Sequence, residues 1–298
     1  MSTLWAFYLD YFEPLRLRSR SASTKRLYRT TIKTFTRFLD RPAVLADLND
    51  DTVGRYLSWF LGLPRSPYSA NKEHSNLLAI WRYGCRRREN GAPLIADWPT
   101  VGREIEPEDD PLAWTEGDLK RLFTTLRNLP GYVGKVLACH WWMALHLVMW
   151  DTGERIGAVM QLANSDADLA TGWLTVTAGK RKGRRQGRTY KLHPDTIVAL
   201  ETIRGDRKPE EPLFPFPHAA NYLWNRYAVV LRRAGLPSDS KSKFHRMRRS
   251  FASHGERAGM NATEMLGHSS RKVTRRYLDP RLTTQAAPSD VLFRPKSD

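Results

Sequence analysis

Hydrophobic positions in the first hundred residues recur at close to helical spacing. The segments 27–39, 53–61 and 77–83 each place their apolar side chains along one helix face. Residues able to cap a helix precede each segment: Ser23 and Thr24, the run 49–51, and Ser69 or Asn71. The pattern predicts an all-helical N-terminal region.

The periodicity stops between residues 91 and 111. This stretch, GAPLIADWPTVGREIEPEDDP, is rich in proline, glycine and acidic residues, which is typical of a linker. Thr115 is then followed three residues later by Asp118, in the manner of a helix capping box. We therefore predict domains 1–108 and 109–298, with a linker at about 91–111 and a C-terminal tail at 281–298.

The second domain is predicted to be mostly helical with one short β region. The apolar run 136–150 contains two histidines and is short for a membrane span, so it indicates a buried helix. Two β-like runs, 173–176 and 190–192, flank GKRKGRRQGR, which favours a hairpin. Helices are predicted again at 194–203, at 219–234 and within 244–278. The fold class is mainly α with a small β-sheet, an α+β arrangement.

The charge balance indicates the kind of partner. Lys and Arg number 48 against 31 Asp and Glu, a net charge of +17. Such an excess favours a polyanion, and we expect double-stranded DNA. No basic amphipathic helix, lipidation motif or secretory leader is visible, so we expect no membrane partner and a cytoplasmic, nucleoid-associated protein. Cys85 and Cys139 stand alone, which indicates a reducing compartment and no metal site.

The C-terminal half supplies candidates for phosphodiester chemistry. Breaking a phosphodiester without a metal requires a nucleophile, cations on the phosphate, an acid for the leaving oxygen and a base. Arg155 follows Gly153 in the turn DTGER, and its planar fork suits a phosphate. His245 and Arg248 lie at i and i+3, on one helix face. Taken alone, each has an ordinary alternative as a surface or capping residue.

Further candidates come from the hairpin and the last helices. His268, in Leu-Gly-His, precedes Tyr277 by nine residues. A hairpin lysine could protonate a leaving oxygen, but nothing intrinsic separates Lys180 from Lys182. The hairpin turn and the N-terminal helices also carry cations that we predict to bind DNA, although each could be ordinary solvated charge: Lys25, Arg29, Arg86, Arg87, Arg181, Lys182, Arg184 and Arg185.

In order, the chain reads arginine in TGER, a hairpin lysine, His-x-x-Arg, Leu-Gly-His and a tyrosine nine residues later. This series resembles the catalytic signature of the tyrosine recombinase (phage integrase) family, including the Xer and Cre enzymes. The resemblance covers most of the chain. It implies a helical, SAM-like core-binding domain at the N-terminus and a catalytic domain after it, which together clamp duplex DNA.

The resemblance also implies a role for each matching residue. Tyr277 would attack the phosphate and form a 3′-phosphotyrosyl bond. Arg155 and Arg248 would hold the scissile phosphate, His245 would act as acid or base, and His268 would hydrogen-bond the phosphate. Lys180, in TAGK, best matches the hairpin lysine and would be the general acid. The covalent bond conserves energy, so no cofactor, ATP or metal is implied.

At the level of the assembly, the resemblance implies site-specific DNA recombination of the kind found in mobile elements, and it leaves integration, excision and dimer resolution open. A homotetramer would act on two DNA sites, with accessory DNA-bending proteins as further candidate partners.

Three positions depart from the family's pattern. Arg249 stands where a histidine usually follows the second arginine, Ala158 replaces an acidic residue, and the stretch AGMNATEMLGH is short. Arg249 and Ala158 leave a non-catalytic hypothesis open, and the shared chemistry leaves a topoisomerase hypothesis open. A non-catalytic DNA-binding protein would lack cleavage, and a type IB topoisomerase would relax DNA alone and without site choice.

Overall fold

The computed structural model describes residues 3–181, 183 and 186–284. It divides into two compact units, Met1–Glu108 and Asp109–Asp298. Within the described residues, helices dominate and the β structure is limited to small antiparallel sheets. This confirms the predicted fold class. Three predicted DNA contacts, Lys182, Arg184 and Arg185, lie outside the described residues, as does the tail from residue 285 onward.

The first unit is helical, as predicted, but two helices begin earlier than expected. Its helices are α1 (Leu4–Phe7), α2 (Glu13–Arg16), α3 (Ala22–Leu39), α4 (Asp50–Gly62) and α5 (Pro67–Arg86). Ser21 caps α3, because its side chain accepts from the Thr24 amide at 3.3 Å. Ser66 caps α5 with Pro67 at the first position, where a proline leaves no N–H unsatisfied.

The first helical segment is absent from the sequence prediction. A π-helical turn, Tyr8–Phe12, joins α1 to α2. Phe7 and Phe12 are buried, and each lies within 6 Å of the Tyr83 ring. Aromatic burial against α5 therefore orders this segment, whose own pattern is too short to predict a helix.

Most of the predicted linker packs along α5. It lacks regular structure after the two-residue strands β1 (Arg88–Glu89) and β2 (Ala92–Pro93). The Trp81 indole donates to the Asp97 carbonyl at 2.7 Å, and the Asn71 amide donates to the Glu104 carbonyl at 2.9 Å. Ile95 is buried in the core of the first unit. The segment therefore belongs to that unit's structure.

The second unit surrounds the buried helix α7. Its helices are α6 (Glu116–Arg127), α7 (Ala138–Thr152), α8 (Ile156–Val159), α9 (Pro194–Arg204), α10 (Ala220–Arg233), α11 (Phe244–Arg257), α12 (Ala262–Leu266), α13 (Arg271–Arg275) and α14 (Pro280–Thr283). The Thr115–Asp118 capping box at the start of α6 is present as predicted. α7 packs against α6, α9 and α11. Across the described chain, no helix combines the length and apolarity needed to span a membrane.

The predicted hairpin is confirmed as part of a three-stranded antiparallel sheet. The strands of this unit are β3 (Tyr132–Val133), β4 (Val136–Leu137), β5 (Ala167–Asp168), β6 (Trp173–Val176) and β7 (Arg188–Lys191). The sheet order is β5-β6-β7, and Trp173 pairs with Lys191 while Val176 pairs with Arg188. The inner side chains Leu174 and Val176 join the core. The sheet is thus anchored in the domain core through β6.

A histidine within α7 is expected to make stability depend on pH. His146 is fully buried among aromatic rings, and its Nδ1 lies 2.8 Å from the Trp142 carbonyl. Burial lowers the pKa of His146 from 6.5 to about 4. The folded state then binds fewer protons than the unfolded state as the pH falls from 6.5 towards 4, so stability decreases across that window by up to about 3 kcal/mol.

Urea unfolding at pH 7.0 and pH 4.5 checks this expectation. His146→Phe keeps the aromatic packing and removes the titrating group, so its stability should fall less between the two pH values than that of wild type. Equal losses in the two proteins would contradict a neutral His146 in the core.

Candidate active site

The DTGER turn depends on a glycine. α7 ends at Thr152, and Gly153 adopts a left-handed conformation with φ +59°. A Cβ at this position would lie 2.2 Å from the Phe251 ring on α11. Only glycine permits both the backbone angle and this close approach. Arg155 occupies the N-cap position of α8, and the Gly153 carbonyl accepts a hydrogen bond from Arg248 on α11.

Arg248 on α11 joins the turn to the Leu-Gly-His segment. It is 1% exposed, and its guanidinium donates to the Gly153 carbonyl and, at 3.2 Å, to the Leu266 carbonyl. The guanidinium also lies 3.3 Å from His268 Nε2. Burial, followed by the charge of Arg155, lowers the pKa of Arg248 to about 10. Arg248 therefore stays positively charged at neutral pH.

The contacts of His268 define its tautomer. An arginine can only donate, so Nε2 accepts the bond from Arg248 and Nδ1 carries the proton. Nδ1 then donates to Thr274 Oγ1 at 3.2 Å, and that hydroxyl donates to the Ser270 carbonyl at 3.3 Å. The His268 ring is therefore oriented from both sides, by Arg248 on α11 and by Thr274 on α13.

Tyr277 lies beside the two predicted histidines. Its ring centroid is 4.8 Å from that of His268 and 5.5 Å from that of His245. The Arg248 guanidinium carbon is 5.5 Å from the ring centre. The ring also packs on the small apolar cluster that includes Leu266. The structure thus brings four of the predicted residues, Tyr277, His245, Arg248 and His268, into one cluster.

The backbone around Tyr277 is fixed by a buried carboxylate. Asp279 is fully buried and accepts from the Ala113 amide at 2.8 Å and from Arg281 at 2.6 Å. The Asp279 amide donates to Ser253 Oγ at 2.9 Å, and that hydroxyl donates to the Tyr277 carbonyl at 3.3 Å. The segment carrying the tyrosine is therefore held to α11 and to the beginning of the domain.

His245 lies at the edge of the cluster, where its side chain is exposed to solvent. Desolvation, and then the positive charges of Arg249, Arg248 and Arg155, lower the pKa of His245 to about 4. Because the ring is open to solvent, the three guanidinium charges outweigh burial as the cause. Either cause keeps the imidazole neutral at pH 7, so it is able to accept a proton.

The hairpin cations adopt different positions. Lys180 donates to Asp166 and is partly buried. Arg181, predicted as a DNA contact, has a buried side chain whose Nε lies 2.6 Å from Glu154 Oε1. Its guanidinium is held inside the domain by a carboxylate, so a position on a DNA phosphate requires that pair to open.

The predicted DNA contacts of the first unit lie on the surface or close to it. Arg29 and Lys25 pair with Glu13, at 2.8 Å and 3.8 Å. Arg86 stacks over Trp98 and Arg87 over the Tyr11 ring, at 5.3 Å and 4.0 Å from the ring centres. Glu13 thus pairs with the first two cations, whereas the guanidiniums of Arg86 and Arg87 stack on aromatic rings.

The structure shows the surroundings of the three positions that depart from the family's pattern. Ala158 is 4% exposed and belongs to the core of the second unit. Arg249 is partly buried, and its Nε has no hydrogen-bond partner among the residues that the structure describes. The short stretch before His268 folds as α12 and ends at Gly267, which takes the left-handed conformation at φ +62°. The shortened connection therefore still delivers His268 to the cluster.

Several residues of the cluster's surroundings are missing from the sequence prediction. Glu154, Tyr190, Thr274 and Asp279 each hydrogen-bond a segment that carries a candidate residue. Proximity in sequence was an available signal, because Glu154 adjoins Arg155 and Asp279 follows Tyr277 by two positions. Over residues 3–181, 183 and 186–284, no group of three or more His, Cys, Asp or Glu is placed to hold a metal ion.

Comparison with known proteins places this arrangement in a family. The model of the phage integrase family matches residues 115–283, more than half of the chain. No curated protein sequence matches significantly.

Solved structures share the fold at low sequence identity. A XerH site-specific recombinase bound to palindromic difH substrate has a TM-score of 0.72 at 19% identity, covering 92% of this chain and 80% of that one. A lambda integrase dimer bound to a COC′ core site has a TM-score of 0.69 at 20% identity, covering 94% of this chain and 96% of that one. The Tn1549 transposon integrase in complex with transposon right end DNA has a TM-score of 0.68 at 16% identity, covering 93% of this chain and 94% of that one. The chain therefore belongs to the phage integrase family of site-specific tyrosine recombinases.

Proposed function

We propose that this recombinase cuts and rejoins duplex DNA with Tyr277 as its nucleophile. The observation that carries the proposal is the meeting of Tyr277 with His245, His268 and Arg248 in one partly buried cluster. The tyrosine oxygen bonds to phosphorus, and the bond from phosphorus to the 5′-oxygen breaks. The product is a 3′-phosphotyrosyl linkage and a free 5′-hydroxyl.

The cluster's charges support the assigned roles. Arg155 and Arg248 bind the non-bridging oxygens and stabilise the charge that develops on them. His245 is neutral near pH 7 and takes the tyrosine proton. Thr274 and Arg248 orient the His268 ring, which donates to the phosphate once Arg248 has turned from Nε2 to the phosphate and Nε2 carries a proton. Lys180 leaves Asp166 and protonates the 5′-oxygen, with Lys182 as the alternative donor.

Binding is proposed to involve cations of both units. Arg86, Arg87, Lys25 and Arg29 contact phosphates through the first unit, and the hairpin loop does so through the second. Each DNA phosphate carries one negative charge, as Glu13 does, but the dense row of phosphates and the release of their counterions favour transfer of Lys25 and Arg29 to the DNA. Arg181 is assigned a different role below, because its side chain is buried.

Strand exchange sets the number of subunits. Two duplexes contain four strands, each strand must be cut once, and each protomer supplies one Tyr277. We therefore propose a homotetramer on two DNA sites, acting at the nucleoid, with accessory DNA-bending proteins as further candidates. The transesterification conserves bond energy, so the proposal includes no ATP.

Covalent adducts test the proposal. Cells carrying the native locus are lysed in detergent, protein–DNA adducts are isolated, and the attached DNA is sequenced. We expect a defined DNA site and, after digestion, a nucleotide-linked peptide that contains Tyr277. Adducts at scattered sequences would favour a topoisomerase, whereas DNA binding without any adduct would favour a non-catalytic binder.

A further inference from the structure

We infer that Glu154 is a positioning residue, whose buried ion pair with Arg181 fixes the lysine-bearing loop relative to Arg155. The inference rests on the proposed function, because it deepens the roles given there to Arg155 and the hairpin lysine.

The contacts of Glu154 are short and enclosed. Its side chain is 2% exposed, and that of Arg181 is 5% exposed. One carboxylate oxygen, Oε1, accepts from Arg181 Nε at 2.6 Å and from the Tyr190 hydroxyl at 2.6 Å. Arg181 Nη1 also donates to the Gln186 carbonyl at 3.1 Å. The pair thus closes the base of the loop that connects β6 to β7.

Both residues of this ion pair are next in sequence to residues with proposed catalytic roles. Glu154 immediately precedes Arg155, and Arg181 lies between Lys180 and Lys182 in the sequence. One ion pair therefore links the peptide that carries a phosphate-binding arginine to the peptide that carries the leaving-group acid. The link serves whichever lysine donates the proton, because both adjoin Arg181.

The same loop also contacts the segment of His268. A Cβ on Gly267 would lie 3.3 Å from Arg181 Nη2 and 3.3 Å from the Arg188 guanidinium carbon. Arg188 donates to the Met265 carbonyl at 2.5 Å and to the Glu264 carbonyl. Arg181 and Arg188 therefore pack beneath the turn that delivers His268, so a shift of the loop is resisted on two sides.

Charge explains why a carboxylate is needed at residue 154. Arg155, Arg181 and Arg248 are all close to it, and its negative charge opposes the lowering of the Arg248 pKa that burial and Arg155 produce. Without Glu154, the buried Arg181 would have no counterion and would move towards solvent. We expect the loop and its lysine to move with it.

The chemistry of the leaving group provides a specific readout. An alkoxide leaves poorly unless it is protonated, so the natural substrate requires the lysine. A substrate with sulfur in place of the bridging 5′-oxygen releases a thiolate, which leaves without a proton. Misplacing the acid should slow cleavage of the oxygen substrate and spare the sulfur substrate.

The experiment measures single-turnover cleavage of both substrates, built on the site recovered in the adduct experiment. Lys180→Ala and Lys182→Ala show how far the rate falls when the acid itself is removed. The variant that lacks the true acid should cleave the oxygen substrate about 10²-fold more slowly. We expect Glu154→Gln to lower the cleavage rate of the oxygen substrate by about 10-fold or more. The cleavage rate of the sulfur substrate should fall by less than about 3-fold. Tyr190→Phe should also slow cleavage of the oxygen substrate more than that of the sulfur substrate, with a smaller decrease in rate than Glu154→Gln.

A second design avoids an unpaired buried charge. Glu154→Gln/Arg181→Gln removes both charges together, so the inference stays testable if Glu154→Gln alone does not fold. Thr189→Val is the matched control, because it lies on the exposed face of β7 beside Tyr190 and should leave both rates unchanged.

Equal losses on the oxygen and sulfur substrates would overturn the inference, since the pair would then stabilise the domain without positioning the acid. Wild-type protein that binds the site but cleaves neither substrate would instead overturn the proposed function, and this inference with it.

Discussion

Replacing Tyr277 with phenylalanine is expected to abolish covalent DNA adducts while leaving the fold and DNA binding intact. The substitution removes the hydroxyl that would bond to phosphorus and keeps the ring. That ring provides the packing against His268, His245 and the cluster around Leu266. The described hydrogen bonds of Tyr277 are made by its main chain, which the substitution does not change. We expect the adduct yield to fall by at least about 10³-fold.

Gel-shift affinity and thermal unfolding are measured beside adduct formation. Tyr222→Phe makes the same chemical change at an exposed tyrosine of the same unit and should retain full adduct formation. Adducts that persist in Tyr277→Phe would show that another residue is the nucleophile. A parallel loss of affinity would show that the substitution disturbs the DNA-binding surface.

The local parts of the site could be predicted because their geometry is set by a few neighbouring residues. Thr115 and Asp118 form their capping box within one helical turn, and His245 and Arg248 face the same side of α11 because they are three residues apart. Spacing of this kind is independent of the rest of the chain. It indicates which residues share a face even before any packing is known.

The supporting contacts could not be predicted because they join distant segments. Glu154 meets Arg181 across 27 positions, and Asp279 meets Ala113 across 166. Arg181 illustrates the consequence. A run of cations predicts solvent exposure and DNA contact, and only the position of one carboxylate from another segment shows that this guanidinium is buried. Sequence pattern thus indicates candidate reacting groups more readily than the residues that hold them.

The N-terminal helical segment escaped prediction for a related reason. Phe7 and Phe12 are too close to the chain start to define a sustained period, and their burial depends on Tyr83, far along the sequence. The same dependence applies to the residues after Gly91, whose composition is typical of a linker. Their hydrogen bonds to α5 are made mainly by backbone groups, which composition does not reveal.

Arg248→Lys is expected to reduce cleavage strongly, by roughly 10²- to 10³-fold, with a smaller effect on DNA affinity. In the free protein, the guanidinium donates hydrogen bonds to three acceptors at the same time: the Gly153 carbonyl, the Leu266 carbonyl and His268 Nε2. A lysine presents a single ammonium and cannot reach all three while also binding a phosphate. Affinity should fall less, because the phosphate held by Arg248 is one of many contacts.

The buried setting adds a pH dependence. Burial and Arg155 lower the pKa of Arg248 from 12.5 to about 10. A lysine starts about two units lower than an arginine, so the same surroundings would bring its deprotonation much closer to neutrality. The residual cleavage by Arg248→Lys should therefore decline as the pH is raised from 7 to 9, whereas wild-type cleavage should lack this loss of a phosphate-binding cation.

Arg246→Lys is the matched control for this substitution. Arg246 is buried on the same helix, stacks on Trp114 at 3.8 Å and donates to the Ala113 carbonyl at 3.2 Å. It does not contact Tyr277 or His268 in the described structure, so its replacement should lower the unfolding temperature and leave cleavage per folded molecule nearly unchanged. If the two variants lost cleavage equally, a general loosening of α11 would explain the result, and Arg248 would lose its assigned role on the phosphate.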